Sequence, residues 1–189
     1  MTGKILIIAA PSGCGKSTII NALLEGGDLN LGFAVSATTR SPRDGERDGV
    51  NYYFMSEDEF RDHIAEGDFV EFEEVYPGRF YGTLRSEVER ITGSGHNIIL
   101  DLDVNGALRV KQLYGDRAMA IFIAPPSLDE LRRRLEFRGT ETTEVIDVRV
   151  DRASYEMSRA PEFDQCVVND RLDTAIEETH NIIKAFTGA

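Results

Sequence analysis

The sequence is short of everything that would cross-link it or seat it in a membrane. Two cysteines, Cys14 and Cys166, are too few for a disulfide framework, and no further thiol completes a zinc site. The three histidines, His63, His96 and His180, lie far apart and form no local ligand pair. No apolar run approaches the ~20 residues that span a bilayer. The apolar stretch at residues 5–10 is too short for a signal-peptide core and runs straight into a glycine-rich loop, so the expected location is cytoplasmic. Basic residues are scarce as well: 21 Lys+Arg stand against 33 Asp+Glu, a net charge of −12. A surplus of that sign repels polyphosphate and excludes non-specific binding to nucleic acid or an anionic membrane. Any phosphate ligand must be caught by a local cluster of arginine and lysine.

What is present suits an α/β domain with two excursions. The 189 residues are 41% apolar and 29% charged, enough for a sizeable core. Residues 4–9 form a β-branched run of the kind buried on both faces of a parallel sheet. A Gly/Pro/Ser loop follows, then a predicted helix over 17–25 closed by Gly26 and Gly27. Similar apolar runs recur at 97–102, 118–124 and 166–168, each leading into a helical stretch. Ser127 with Glu130 forms a capping box ahead of a helix to about Arg138, and the last helix covers 172–186. Residues 33–93 differ in character, with shorter predicted strands at 33–36, 52–55 and 69–75 and a helix capped by Ser56 with Glu59. They read as an insert folded over the edge of the parallel sheet. A second, polar excursion at 139–143 separates two arginine-bearing helices.

Ala10-Pro-Ser-Gly-Cys-Gly-Lys-Ser17 follows the first strand and opens a helix. Glycines there let backbone N–H groups turn inward around phosphate oxygens, and the helix N-terminus adds its positive dipole end. Lys16 reaches the β/γ oxygens and the Ser17 hydroxyl ligates Mg²⁺. The pattern G-x-x-x-x-G-K-S/T has Ala10 at its first glycine, so Gly13 and Gly15 must supply the sharpest turns. Asp101 ends a predicted strand, where an acid holds Mg²⁺ through water or is simply a solvated carboxylate. Cys14 has two readings: a thiolate favoured by Lys16 and the helix N-terminus, or a small residue tolerated in a tight loop.

A second phosphate site is read from Arg40 and Arg43, three apart around Pro42, with Arg47 nearby. The arginines form a rigid fork for a dianion, or a basic turn neutralised by Asp44, Glu46 and Asp48. At one end of the chain's second half, Arg132, Arg133, Arg134 and Arg138 share a helix, and Arg149 follows the polar loop. They are either a solvated face or a phosphate clamp.

Taken in order, these motifs resemble the guanylate kinases. The resemblance runs over nearly the whole chain. It rests on the phosphate loop, Ser36-x-Thr-Thr-Arg40-x-Pro-Arg43-x-Gly45-Glu46, Tyr52-x-Phe54, Phe69-Val-Glu71 and Tyr81-Gly82. It continues through Asp101-Leu-Asp103-x-x-Gly106, Ala124-Pro-Pro-Ser127, Arg134-Leu-x-x-Arg138-Gly-Thr-Glu141 and Val168-Asn169-Asp170. The resemblance implies a P-loop core at 1–32 and 94–189, a lid at about 134–157 within it, and a GMP-binding insert at 33–93. It implies phosphoryl transfer from ATP to GMP with Mg²⁺. The loop residues Pro11, Ser12, Gly13, Cys14, Gly15, Lys16, Ser17 and Thr18 would hold ATP, with Asn169 near the adenine. Arg40, Arg43, Tyr52 and Tyr81 would hold the GMP phosphate, while Ser36, Glu71, Thr83 and Asp103 would read the guanine. Thr83 stands where the family often has serine, and the hydroxyl survives. The segment 76–80 is one residue longer than in some relatives. Lys16, Arg43, Arg134, Arg138 and Arg149 would carry the catalytic charge, and Ser17 with Asp101 would hold the metal.

Base choice follows from chemistry as well. A carboxylate such as Glu71 accepts the N1–H and N2–H of guanine together, and the Ser36 hydroxyl donates to O6. Adenine offers neither N1–H nor O6, which would leave the carboxylate desolvated and unpaired. No residue obviously reads the ribose 2′-hydroxyl, so dGMP is an expected second acceptor. Two other classes compete: a non-catalytic guanylate-kinase-like module that binds phosphoproteins, and a kinase for another nucleoside monophosphate. The intact Gly13, Gly15, Lys16 and Ser17 argue against the first, and Ser36, Glu71 and Asp103 against the second. The sequence leaves monomer and homo-oligomer both open.

Overall fold

A computed structural model describes residues 2–139 and 142–188, with the side chain of Arg138 excepted. Two sheets organise the chain. The chain begins with β1 (Ile5–Ala9), α1 (Lys16–Gly26) and β2 (Leu31–Phe33). A second region follows: β3 (Ala37–Thr38), β4 (Tyr53–Phe54), α2 (Glu57–Glu66), β5 (Phe69–Tyr76) and β6 (Arg79–Leu84). The chain returns through α3 (Arg85–Gly93), β7 (Asn97–Asp101), α4 (Val104–Tyr114) and β8 (Ala118–Ala124). It closes with α5 (Leu128–Arg138), α6 (Thr143–Ser158), β9 (Gln165–Val168) and α7 (Leu172–Thr187).

The first sheet is parallel throughout, in the order β2-β7-β1-β8-β9. Both of its faces are covered, which is why β1 reads as an unbroken apolar run rather than as an alternation. Ile5 and Ile7 point to a cluster that includes Val88 and Ile91 of α3 and Val104, Ala107 and Val110 of α4. Leu6 and Ile8 point the other way, to Ile19, Ile20 and Leu23 of α1 and to Ala175 and Ile183 of α7. The loop after β1 therefore leaves the centre of the sheet, between β7 and β8, where open α/β sheets bind ligands.

The second sheet is mixed, in the order β4-β3-β6-β5, and encloses a small core of Ala37, Phe60, Phe69 and Phe80. Phe60 stacks on Phe69 at 4.3 Å between ring centroids and on Phe80 at 5.3 Å. Helix α2 starts at the expected capping box: Ser56 accepts from the Glu59 N–H, and the Glu59 carboxylate accepts from the Ser56 N–H at 2.7 Å.

Several local expectations are revised. The strand expected at 33–36 lies earlier, with Leu31–Phe33 pairing on β7 in the first sheet. Pro77 and Gly78 turn the chain from β5 into β6, a strand that the residue pattern does not predict. Gly82 hid that strand, because glycine weakens a strand pattern; here a Cβ would lie 2.9 Å from the Glu71 carbonyl oxygen, so only glycine fits. At Ser127 only half of the capping box forms: its hydroxyl accepts from the Glu130 N–H, but the Glu130 carboxylate is taken by Arg133 and Arg134.

Candidate active site

The phosphate loop is shaped by the two glycines expected to shape it, Gly13 with φ 98° and Gly15 with φ 84°. Ala10 needs no such freedom. Asn30 is the one non-glycine with positive φ among the described residues, so alanine at the motif's first position costs no backbone strain. Its methyl instead packs against the apolar clusters of α1 and of α5–α6. Gly15 ends the loop and α1 begins at Lys16, directing the helix's free N–H groups into the cleft. The Lys16 ammonium donates to the Leu102 carbonyl at 3.0 Å and pairs with the Asp101 carboxylate. A ligand phosphate would therefore meet a lysine already aimed by β7.

A cavity of about 540 Å³ opens over this loop, lined by residues 10–14, Lys16, Ser17, Asp101, Asp103, Arg149, Arg152 and Glu156 among others. Arg149 of α6 reaches across it to the Ser12 hydroxyl at 3.5 Å. Arg152 and Glu156 were missed by the sequence reading. They stand three and seven residues beyond Arg149 on one face of α6, a spacing that could have found them. Arg152 donates to Glu156 at 2.9 Å, and burial of Glu156 pushes its carboxyl above the usual range.

Other expected nucleotide contacts are deployed differently. Arg134 donates to Glu130 at 2.9 Å and to the Asp170 carbonyl at 3.4 Å. It borders a separate hollow with Gly13, Glu130, Arg133 and Phe137 and does not line the large cavity. The Arg138 side chain, with Thr140 and Glu141, lies outside the described residues. Asn169 is buried, and its amide donates to the Cys14 carbonyl at 2.7 Å, so here it braces the loop from below. The thiolate reading of Cys14 is overturned. Its thiol is packed among Leu131, Leu135 and Ile146, and burial pushes its pKa up to about 12. Thr18 is exposed on the first turn of α1.

On the other side of the cleft, the proposed base readers converge. Glu71 and Thr83 are cross-strand partners on β5 and β6, and the Thr83 hydroxyl donates to the Glu71 carboxylate at 2.8 Å. Asp103 caps α4 by accepting from the Gly106 N–H at 2.6 Å. A Cβ at Gly106 would lie 2.9 Å from the Asp103 carboxylate and 3.4 Å from that of Glu71, so this glycine lets both acids crowd one spot. Burial, with the Asp103 charge adding to it, raises Glu71 to about 7 despite the opposing hydrogen bond from Thr83. Ser36, Tyr52, Thr83 and Asp101 share a second, smaller cavity of about 150 Å³.

The basic turn is partly self-neutralised. Arg40 makes two 2.9 Å hydrogen bonds to the Glu46 carboxylate, which also accepts from the Arg43 N–H at 2.7 Å. Those donors hold Glu46 down at about 2. The Arg40 guanidinium lies 5.3 Å from the Tyr52 ring centre, and Tyr52 meets Tyr81 edge-on at 6.0 Å. Arg40, Tyr52 and Tyr81 thus form one cluster, while the Arg43 side chain is exposed beside it.

Comparison with known proteins decides what this cleft belongs to. The family model described as guanylate kinase matches residues 2–186. The chain belongs to the guanylate kinase family. It is 53% identical over 185 residues to the guanylate kinase of Bacteroides fragilis, covering 98% of this chain and 90% of that one. To the guanylate kinase of Salinibacter ruber it is 54% identical, covering 97% and 96%. A crystal structure of guanylate kinase from Anaplasma phagocytophilum is similar with a TM-score of 0.76 and 32% identity, covering all of this chain and 88% of that one. Among the described residues no helix is long and apolar enough to cross a membrane.

Proposed function

We propose a division of roles among these residues for the reaction that guanylate kinases carry out, ATP + GMP ⇌ ADP + GDP. The chain is an ATP-dependent nucleoside monophosphate kinase, and the observation that carries the division is that Asp101 lines both cavities. Two nucleotides seated in them would bring their phosphates together at the end of β7. Residues 12–18 hold the ATP phosphates through backbone N–H groups, with Pro11 lining the cavity beside them and Lys16 on the transferring group. Arg40, Arg43, Tyr52 and Tyr81 hold the GMP phosphate. Arg40 must then exchange part of its pairing with Glu46 for the dianion. Ser36, Glu71, Thr83 and Asp103 read the guanine.

The Ser17 hydroxyl and the Asp101 carboxylate are hard oxygen donors on one cavity wall, which suits Mg²⁺. Bound there, Mg²⁺ would neutralise phosphate charge. The protein's own share is alignment and positive charge: Arg149 stands over the loop already, and Arg134 and Arg138 approach as α5 and α6 close. No covalent phospho-enzyme and no dominant general base are needed, because the acceptor oxygen of GMP attacks in line.

The test is coupled ADP release with Mg·ATP and each of GMP, dGMP, AMP, CMP and UMP. Turnover with GMP and dGMP alone supports the assignments. Equal use of AMP would overturn the roles given to Ser36, Glu71 and Asp103, and tight GMP binding without turnover would mark a non-catalytic module.

A further inference from the structure

Glu87 is a buried acid that takes no part in the chemistry above. It sits in the first turn of α3, just after the chain has returned from the second sheet, and is only 3% exposed. Its carboxylate accepts four hydrogen bonds. Two come from Arg90 at 2.9 Å each, one from the Val35 N–H at 3.3 Å and one from the Tyr53 hydroxyl at 3.2 Å. Val35 belongs to the outgoing crossing between β2 and β3, and Tyr53 to edge strand β4. One side chain therefore joins both chain crossings between the sheets to a strand of the second.

What it ties down matters. Val35 precedes Ser36, Tyr53 follows Tyr52, and the Tyr53 N–H donates to the Ser36 carbonyl at 2.9 Å. Both Ser36 and Tyr52 line the smaller cavity. Burial alone would raise the Glu87 carboxyl, but Arg90, Val35 and Tyr53 together hold it below its ordinary value, so it stays charged and keeps all four donors.

We propose that Glu87 is a positioning residue whose buried carboxylate clasps the two crossings together and sets the place of Ser36 and Tyr52 against the nucleotide core. This rests on assigning Ser36 and Tyr52 to GMP. The experiment compares Tyr53→Phe, Glu87→Gln and Glu87→Ala with the unaltered chain. It reads KM for GMP, KM for ATP, and amide exchange of residues 34–37 without nucleotide. Tyr53→Phe removes one hydroxyl and should raise KM for GMP about fivefold, the scale of one lost hydrogen bond, with KM for ATP unchanged. Glu87→Ala should raise it further, and Glu87→Gln, which keeps one acceptor, should fall between. Exchange at 34–37 should quicken in the same order.

Unchanged exchange, or equal rises in both KM values, overturns the clasp. If Glu87→Ala does not fold, Tyr53→Phe decides alone. Ser36→Ala separates the two ideas. If it leaves KM for GMP unchanged, the assignment of Ser36 fails, and the clasp then stands or falls on the exchange data.

Discussion

The first sheet buries both faces of β1 and its neighbours under four helices, whereas the second closes over Ala37, Phe60, Phe69 and Phe80. The loop proposed to grip one nucleotide leaves the middle of the thick layer. The residues proposed to grip the other come from the thin one and the crossing into it, save Asp103 at the start of α4. That layer is joined to the core by two short crossings, the contacts of Glu87 and the burial of Val70 of β5 in one cluster with Val104 and Ala107 of α4. With the proposed roles, a donor site set in the thick layer and an acceptor site carried by the smaller one would let the second close on the first without disturbing the phosphate loop. The electrostatics divide in the same way. Lys16 is aimed by Asp101 at the end of β7 and by the Leu102 carbonyl just beyond it, while Arg40 is held by Glu46, a neighbour on its own turn.

Substitutions can sharpen or break this contrast. Lys16→Ala strikes the rigid side and should lower kcat by about 10³-fold while GMP affinity, measured by calorimetry, stays close to that of the unaltered chain. Phe60→Ala strikes the thin core; it should cost about 3–5 kcal/mol in denaturant unfolding and raise KM for GMP before it affects ATP. Equal damage to both nucleotides would show that the two regions are one cooperative unit. Glu71→Ala should lower kcat/KM for GMP about 100-fold with KM for ATP nearly constant.

A pH series tests the same acid. Burial raises the Glu71 carboxyl to about 7, and the proposed contact with guanine's N1–H and N2–H needs the ionised form, so KM for GMP should fall as pH rises from 6 to 8. Below the titration point the slope should approach tenfold per pH unit, and Glu71→Gln should abolish this component. The folding linkage has the opposite sign: the raised carboxyl favours the fold when protonated, and that contribution is lost as pH rises through about 7. The smallest effect is expected from Ala10→Gly, which restores the motif's glycine. It should leave kcat unchanged and cost under about 1 kcal/mol in thermal unfolding, since Ala10 needs no positive φ.

Much of this was legible in residue order. The run at 4–9, the glycines at 13 and 15 and Lys16 are adjacent in sequence, and adjacency is enough to specify strand, loop and helix. The capping box of Ser56 and Glu59 is equally local. The strand Arg79–Leu84 was not legible, because Gly82 serves a contact with β5 that local pattern does not contain. Helix α3 escaped too, since its apolar residues Val88 and Ile91 make sense only against the first sheet.

The sequence by itself determined the parallel core, the phosphate loop and the family, because each rests on residues a few positions apart or on motifs in a set order. Only the tertiary structure decided that Asn169 braces Cys14, that Arg149 rather than Arg134 lines the large cavity over the loop, and that Glu87 joins both crossings. Each of these depends on groups brought together from distant parts of the chain. Burial then fixes their chemistry, raising Cys14 and Glu71 by removing water that no sequence pattern records.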